Sequence, residues 1–127
     1  MQRALMVAAG GALGTLLRYL TALAAVRWLG TDFPYGTMIV NLVGSFVIGF
    51  VQALGAEAMV LPDDARLFLA TGVMGGLTTY SAFSYETVRL MEAGAWSQAT
   101  INVVFTTIVC LVLCFLGQSV GRMLARG

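Results

Sequence analysis

The chain has 127 residues, 59% of them hydrophobic and only 10% charged. Its mean hydropathy is +0.88, and water-soluble domains carry about 25% charged residues, so a soluble globular fold is excluded. A net charge of +1 offers no basic surface for nucleic acid, and the absence of His excludes His-ligated haem and His-metal sites.

A membrane-crossing helix needs about 20 mostly apolar residues. Four segments qualify, at residues 4–28, 35–54, 67–91 and 96–124. They predict an all-α integral membrane protein forming one four-helix domain over residues 1–127. Arg3, the apolar stretch behind it and Ala22-Leu23-Ala24 imitate a cleaved signal peptide. Arg18 interrupts the required apolar region, so the segment reads as a retained helix. Gly10, Gly14 and Arg18 share one face of that helix, and Gly10-x-x-x-Gly14 is a close-packing pattern. Pro34 closes the first loop and can start helix two. There Asn41, Ser45, Gly49 and Gln52 fall on one face. Pro62-Asp63-Asp64 marks the second loop, with acidic residues where the start of a third helix favours them. Glu92-Ala93-Gly94 is the third turn, and the last helix aligns Asn102, Thr106 and Cys110, with Gly117 and Gly121 further along. Cys110 and Cys114 sit one turn apart in an apolar run and read as packing residues. Trp28, Tyr35 and Trp96 lie near span ends, as interfacial aromatics do.

The third span is the most informative. Met74 to Tyr85 reads Met-Gly-Gly-Leu-Thr-Thr-Tyr-Ser-Ala-Phe-Ser-Tyr. Every backbone polar group in hydrocarbon needs a protein partner, so glycines and adjacent hydroxyls at that depth predict a helix that breaks in mid-membrane. Such breaks are tolerated where they are buried or line a cavity. The break frees carbonyls and the hydroxyls of Thr78 and Thr79 to face an ion. Beyond it Tyr80, Phe83, Ser84 and Thr87 share a face.

Two readings stand for each polar residue. Asn41 either makes an interhelical hydrogen bond or belongs to a polar track. Ser and Thr hydroxyls either bond back to their own helix or join that track. The track would be uncharged: amides and hydroxyls donate hydrogen bonds, and an aromatic ring presents a positive edge. Such groups replace the water of a small, hard anion without a fixed charge that would trap it. Arg18, the basic residue inside a span, either attracts anions at a vestibule or bonds carbonyls and reaches the interface. Glu86 reads as a snorkelling or Arg89-paired carboxylate, with a proton site as the other reading. Arg3, Arg66, Arg122 and Arg126 on one side against Arg27 and Arg89 on the other give a shallow positive-inside bias, compatible with insertion in both orientations. Four short helices leave little room for a pore in one copy, so an oligomer is expected.

Three motifs now resemble those of one family. Gly10 to Tyr19 (Gly-Gly-Ala-Leu-Gly-Thr-Leu-Leu-Arg-Tyr), Gly36 to Phe46 (Gly-Thr-Met-Ile-Val-Asn-Leu-Val-Gly-Ser-Phe) and Gly72 to Phe83 are similar, in order, to the first three helices of Fluc-type (CrcB-like) fluoride channels. The resemblance implies dual-topology, antiparallel homodimers with two fluoride pathways in the cytoplasmic membrane of a bacterium or similar microbe, where fluoride leaves passively and toxicity falls. It implies a structural, untransported Na+ at the dimer centre, held by backbone carbonyls of Gly75 and Thr78. It assigns the ion pathway to Asn41, Thr79, Tyr80, Ser81 and Phe83, to which the stripe on the last helix adds Thr106 and, beside it, Thr107. Two positions depart from the family pattern: Tyr80 stands where Phe is usual, and Ala82 where Thr is usual.

Two rivals compete. A small multidrug-type transporter needs an intramembrane Glu in its first helix, and residues 4–28 contain no acidic residue. A structural subunit of a larger membrane complex would use the glycines but has no need of Gly-Gly-Leu-Thr-Thr beside Tyr80 and Phe83. Enzyme catalysis is not expected, because no nucleophile–base pair is visible.

Overall fold

The computed structural model describes residues 1–127 and is entirely helical. Helix α1 runs Gln2–Leu29. Helix α2 runs Tyr35–Glu57, its last five residues, Ala53–Glu57, wound as a π-helix. Helix α3 covers residues 63–77: an α-turn at Asp63–Arg66, a π-helical stretch at Leu67–Met74 and a final turn at Gly75–Leu77. Helix α4 is Tyr80–Glu92 and α5 is Trp96–Arg126. Three of them, α1, α2 and α5, are long and apolar enough to cross a membrane. The second and third helices extend past residues 54 and 67, respectively, because π-winding continues α2 to Glu57 and Asp63–Arg66 adds a turn ahead of Leu67.

The ends have local causes. Pro34 and Pro62 sit at the N-caps of α2 and α3, where a missing N–H costs nothing. Asp63 and Asp64 fill the first turn of α3, where the helix dipole favours negative charge. Gly30 (φ 88°) stops α1 and Gly94 (φ 76°) follows α4, left-handed conformations that glycine adopts without steric cost.

The helices meet along two seams at which backbones touch. Between α1 and α3, a Cβ on Gly14 would stand 2.0 Å from the Val73 carbonyl oxygen, and one on Gly76 2.4 Å from that of Gly11. Between α2 and α5, a Cβ on Gly49 would stand 2.2 Å from the Cys114 oxygen, and one on Gly117 2.1 Å from the Phe46 oxygen. Small residues allow this approach, and close van der Waals packing is what holds helices together where lipid supplies no hydrophobic drive. A small apolar cluster, Val40, Val73, Met74 and Leu77, packs α2 against α3. Only 21 of 127 residues are buried, so most apolar side chains face outward, as in a protein whose solvent is hydrocarbon.

Charges gather at the two ends. At one end Arg3 pairs with Asp64 at 3.0 Å, Arg66 with Asp63 at 3.6 Å, and Arg122 grips both oxygens of Glu57 at 2.5 and 2.9 Å. At the other, Arg89 pairs with Glu92 at 3.4 Å and Arg27 lies over the Trp28 ring at 5.8 Å. The pairing of Arg89 with Glu92 corrects one expectation: Glu86 is not its partner. Cys110 and Cys114 are free thiols on α5.

Candidate functional site

The site is organised by two residues. Thr78 (φ −82°, ψ 153°) and Thr79 (φ −153°, ψ 112°) are extended and separate α3 from α4. Helices lose backbone partners at their ends, and here side chains from α1 and α2 and from the two threonines themselves supply them. Asn41 of α2 donates its amide N–H to the Thr79 carbonyl at 3.1 Å and accepts the Thr79 N–H on its amide oxygen at 2.8 Å. The Thr79 hydroxyl caps α4 by accepting the Ala82 N–H at 3.2 Å. The Thr78 hydroxyl donates to the Met74 carbonyl at 2.9 Å. Arg18 of α1 donates its Nε–H to the Gly76 carbonyl at 3.1 Å. The Thr79 N–H, which would continue the helical ladder onto the Gly75 carbonyl, goes to Asn41 instead, and the Thr78 carbonyl accepts no hydrogen bond from the chain. Nothing lies within 4 Å of a Cβ placed on Gly75, whereas one on Gly44 would stand 2.1 Å from the Thr78 methyl.

Beside the interruption a groove of about 510 Å³ opens on the surface of the protomer. Asn41 and Ser45 of α2 line it, with Gly75, Thr78 and Thr79. Thr106, Thr107 and Cys110 of α5 line it as well. Tyr80 and Phe83 of α4 also line it, their ring centroids 5.6 Å apart and tilted by 46°. Phe83 is 9% exposed and Tyr80 81%, so one ring belongs to the protomer's interior and the other stands on its surface. No charged side chain lines the groove.

The residues singled out by sequence divide. Asn41, Thr79, Tyr80, Phe83 and Thr106 come together at the groove, as do Gly75, Thr78 and Thr107. Ser81 does not: it is exposed, and its hydroxyl lies 3.3 Å from that of Thr79. Arg18 lies outside the groove and bonds a carbonyl. Ser45, Ser84 and Thr87 donate to carbonyls one turn back in their own helices. Asn102 does not reach the groove. It donates to the Thr87 hydroxyl at 2.9 Å and accepts from Thr106 at 3.4 Å, tying α5 to α4 behind Phe83.

Two contributors carry no role in the sequence reading. Thr37 donates to Glu86 at 2.9 Å, while the other Glu86 oxygen is enclosed without a partner. Both residues border a second cavity, of about 330 Å³, near the Gly30–Pro34 loop. Gly44 leaves room for Thr78. Thr37, Asn41 and Gly44 lie at i, i+4 and i+7 on α2, the spacing of one helix face, and that periodicity is the signal that could have found them.

Residues 5–118 match the family model described as CrcB-like protein, Camphor Resistance (CrcB). The chain belongs to the CrcB-like family. The match spans α1 to α4 and most of α5, so both glycine seams and the interruption lie within the CrcB-like region. Several relatives carry the name fluoride-specific ion channel FluC. One from Anaeromyxobacter sp. (strain K) is 46% identical over 125 residues, 98% of this chain and 99% of its own length. One from Sorangium cellulosum (strain So ce56) is 43% identical over 127 residues, all of both chains. A third, from Shewanella frigidimarina (strain NCIMB 400), is 42% identical over 118 residues, 93% of this chain and 94% of its own. This CrcB-like chain is accordingly a multi-pass membrane protein.

Proposed function

We propose that this protein is a fluoride-selective channel that lets fluoride leave a bacterial cell passively through the inner membrane. The observation that carries the reading is the lining of the larger groove. Thr79, Thr106 and Thr107 line it together with two aromatic rings, and no charged side chain does. A strongly hydrated anion needs donors to replace its water, and conduction needs those donors weak enough to release it. The names of the full-length relatives point to the same ion. An enzyme is not part of this reading, and the first-helix Glu of a small multidrug-type transporter is missing.

The channel is an antiparallel homodimer. The groove is open on the side where Tyr80 is 81% exposed, and a second copy supplies the missing wall. Two charge-balanced ends suit insertion in both directions. The interruption between α3 and α4 lies in mid-membrane, making residues 63–92 one broken crossing. A structural sodium ion binds at the dimer centre and is not transported. The residues fit it: the Thr79 N–H that would cap the Gly75 carbonyl is taken by Asn41, the Thr78 carbonyl has no partner in the chain, both lie at the negative end of α3, and carbonyls at the ends of broken helices are suited to sodium. Two from each copy make four.

Purified protein in proteoliposomes tests the channel directly. A fluoride electrode outside is expected to register rapid release, while chloride in parallel vesicles stays inside. Retention of both ions by verified, folded protein would turn the reading toward a structural subunit.

A further inference from the structure

Arg18 is an anomaly that the conduction path does not absorb. It is the one charge in the middle of α1, and a charge at membrane depth is costly unless paired. No carboxylate pairs with it: the four ion pairs of the protein are Arg3–Asp64, Arg66–Asp63, Arg89–Glu92 and Arg122–Glu57. Glu86, the other acidic group of α4, is held by Thr37. The one hydrogen bond of Arg18 runs from Nε to the Gly76 carbonyl at 3.1 Å. A neutral amide could make that bond, so satisfying the carbonyl does not account for the charge.

The backbone contact between α1 and α3 fixes where the charge stands. Gly14 abuts the Val73 carbonyl and Gly76 abuts that of Gly11, so neither helix can shift without moving the other. Arg18, one turn beyond Gly14, is thereby anchored on the last turn of α3. Its carbonyl partner belongs to the residue next to Gly75 and two before Thr78, at the end of α3 where the ladder donor Thr79 N–H is diverted to Asn41. A fixed positive charge therefore flanks a carbonyl cradle that would otherwise attract cations in proportion to their charge.

We infer that Arg18 is a specificity-determining residue of the carbonyl site: its guanidinium occupies the Gly76 carbonyl and, by Coulomb repulsion, restricts the site to monovalent cations. The inference rests on the cation site proposed above. Repulsion scales with the charge of the ion, so a divalent cation of similar size meets twice the opposition from Arg18. The carbonyls' attraction scales in the same way, but the cost of stripping an ion's water grows with the square of its charge, so a site weakened by Arg18 still repays that cost for sodium and not for a divalent ion. Calcium, also an oxygen-seeking ion, is shut out. In a site without the guanidinium the order reverses, since carbonyl dipoles attract the doubly charged ion more strongly.

The test reads binding rather than flux. Heat unfolding of the detergent-solubilised full chain is followed by Trp28 and Trp96 fluorescence in choline chloride, with sodium or calcium titrated in. In the unaltered protein sodium is expected to raise the midpoint and calcium to leave it unchanged. In Arg18→Gln, which keeps a donor for Gly76, calcium is expected to stabilise at concentrations roughly tenfold or more below those of sodium. Arg18→Lys, which keeps the charge, should retain the sodium preference. Calcium stabilising the unaltered protein as well as sodium does would overturn the inference without any variant. So would identical cation preferences in the Gln and Lys variants. Absence of any sodium effect in the unaltered protein would remove the cation site itself, and the fluoride efflux measurement would stand or fall separately.

Discussion

Gly75 and Gly76 are neighbours in the chain with opposite surroundings. A Cβ on Gly76 would stand 2.4 Å from the backbone of α1; one on Gly75 meets nothing within 4 Å. The pair marks a boundary between two kinds of region. On one side lie the glycine seams, sealed backbone to backbone and wholly occupied by this chain. On the other lies the interruption, where carbonyls, rings and a groove wall are left for something else. Glycine thus serves contact in the first region and open space in the second, and the sequence writes both with the same letter.

Substitutions can break that contrast, and the seams should respond most. Gly14→Ala puts a methyl 2.0 Å from the Val73 oxygen, and two backbones cannot both give way. A loss of about 3 kcal/mol or more is expected, read as a lowered heat-unfolding midpoint in detergent; an unchanged midpoint would mean that the seam is looser than described. At the interruption the expected effect falls on transport instead. Asn41→Asp keeps an acceptor for the Thr79 N–H but turns a carboxylate oxygen toward the Thr79 carbonyl. Losing that bond leaves a part-buried carbonyl unsatisfied, costing about 1 kcal/mol, and the new charge repels an anion. Fluoride efflux should fall roughly tenfold or more in protein that still elutes as a folded particle. Efflux at the original rate would confine Asn41 to a structural role.

Smaller effects sharpen the comparison. Phe83→Ile keeps an apolar filler and deletes the ring that meets Tyr80. Aromatic geometry is worth about 0.5–1.5 kcal/mol, so efflux should drop severalfold with little change in stability; equal efflux would make Phe83 a packing residue. Gly75→Ala should be mildest for the protomer, within about 1 kcal/mol, because nothing stands in its way. If the proposed dimer packs there, chemical cross-linking of two copies should nevertheless weaken, since the methyl enters space that the second copy would occupy. Undiminished cross-linking would mean that the partner does not approach Gly75.

Much of the molecule is legible in its amino-acid sequence. The all-helical, membrane-embedded character follows from composition and from apolar lengths, because hydrocarbon admits only helices and closed barrels, and continuous apolar runs of about 20 residues are those of helices. The groove residues are largely legible too, from glycines and hydroxyls where lipid makes them costly. Their partners are not. The spacing of Glu86 and Arg89 suggests a pair at i+3, yet the rotation of α2 delivers Thr37 to Glu86 and leaves Arg89 to Glu92. Asn102 reads as part of a polar track and instead stitches α5 to α4 through Thr87. Ser81 carries the same hydroxyl as Thr79 two positions away, but the turn of α4 carries it out of the groove.

Residue order alone dictates the solvent, the helical class and the presence of small residues at close-packing intervals. Those depend on composition and on the helical period, which are local. Helix packing decides the rest: that Asn41 holds both polar groups of the Thr79 backbone, that Arg18 reaches Gly76, and that the Thr78 carbonyl stays free. A buried donor takes whatever acceptor the rotation and axial register of neighbouring helices bring within about 3 Å. Those two quantities are set by how the glycine seams interlock, which emerges only when all the helices are packed together.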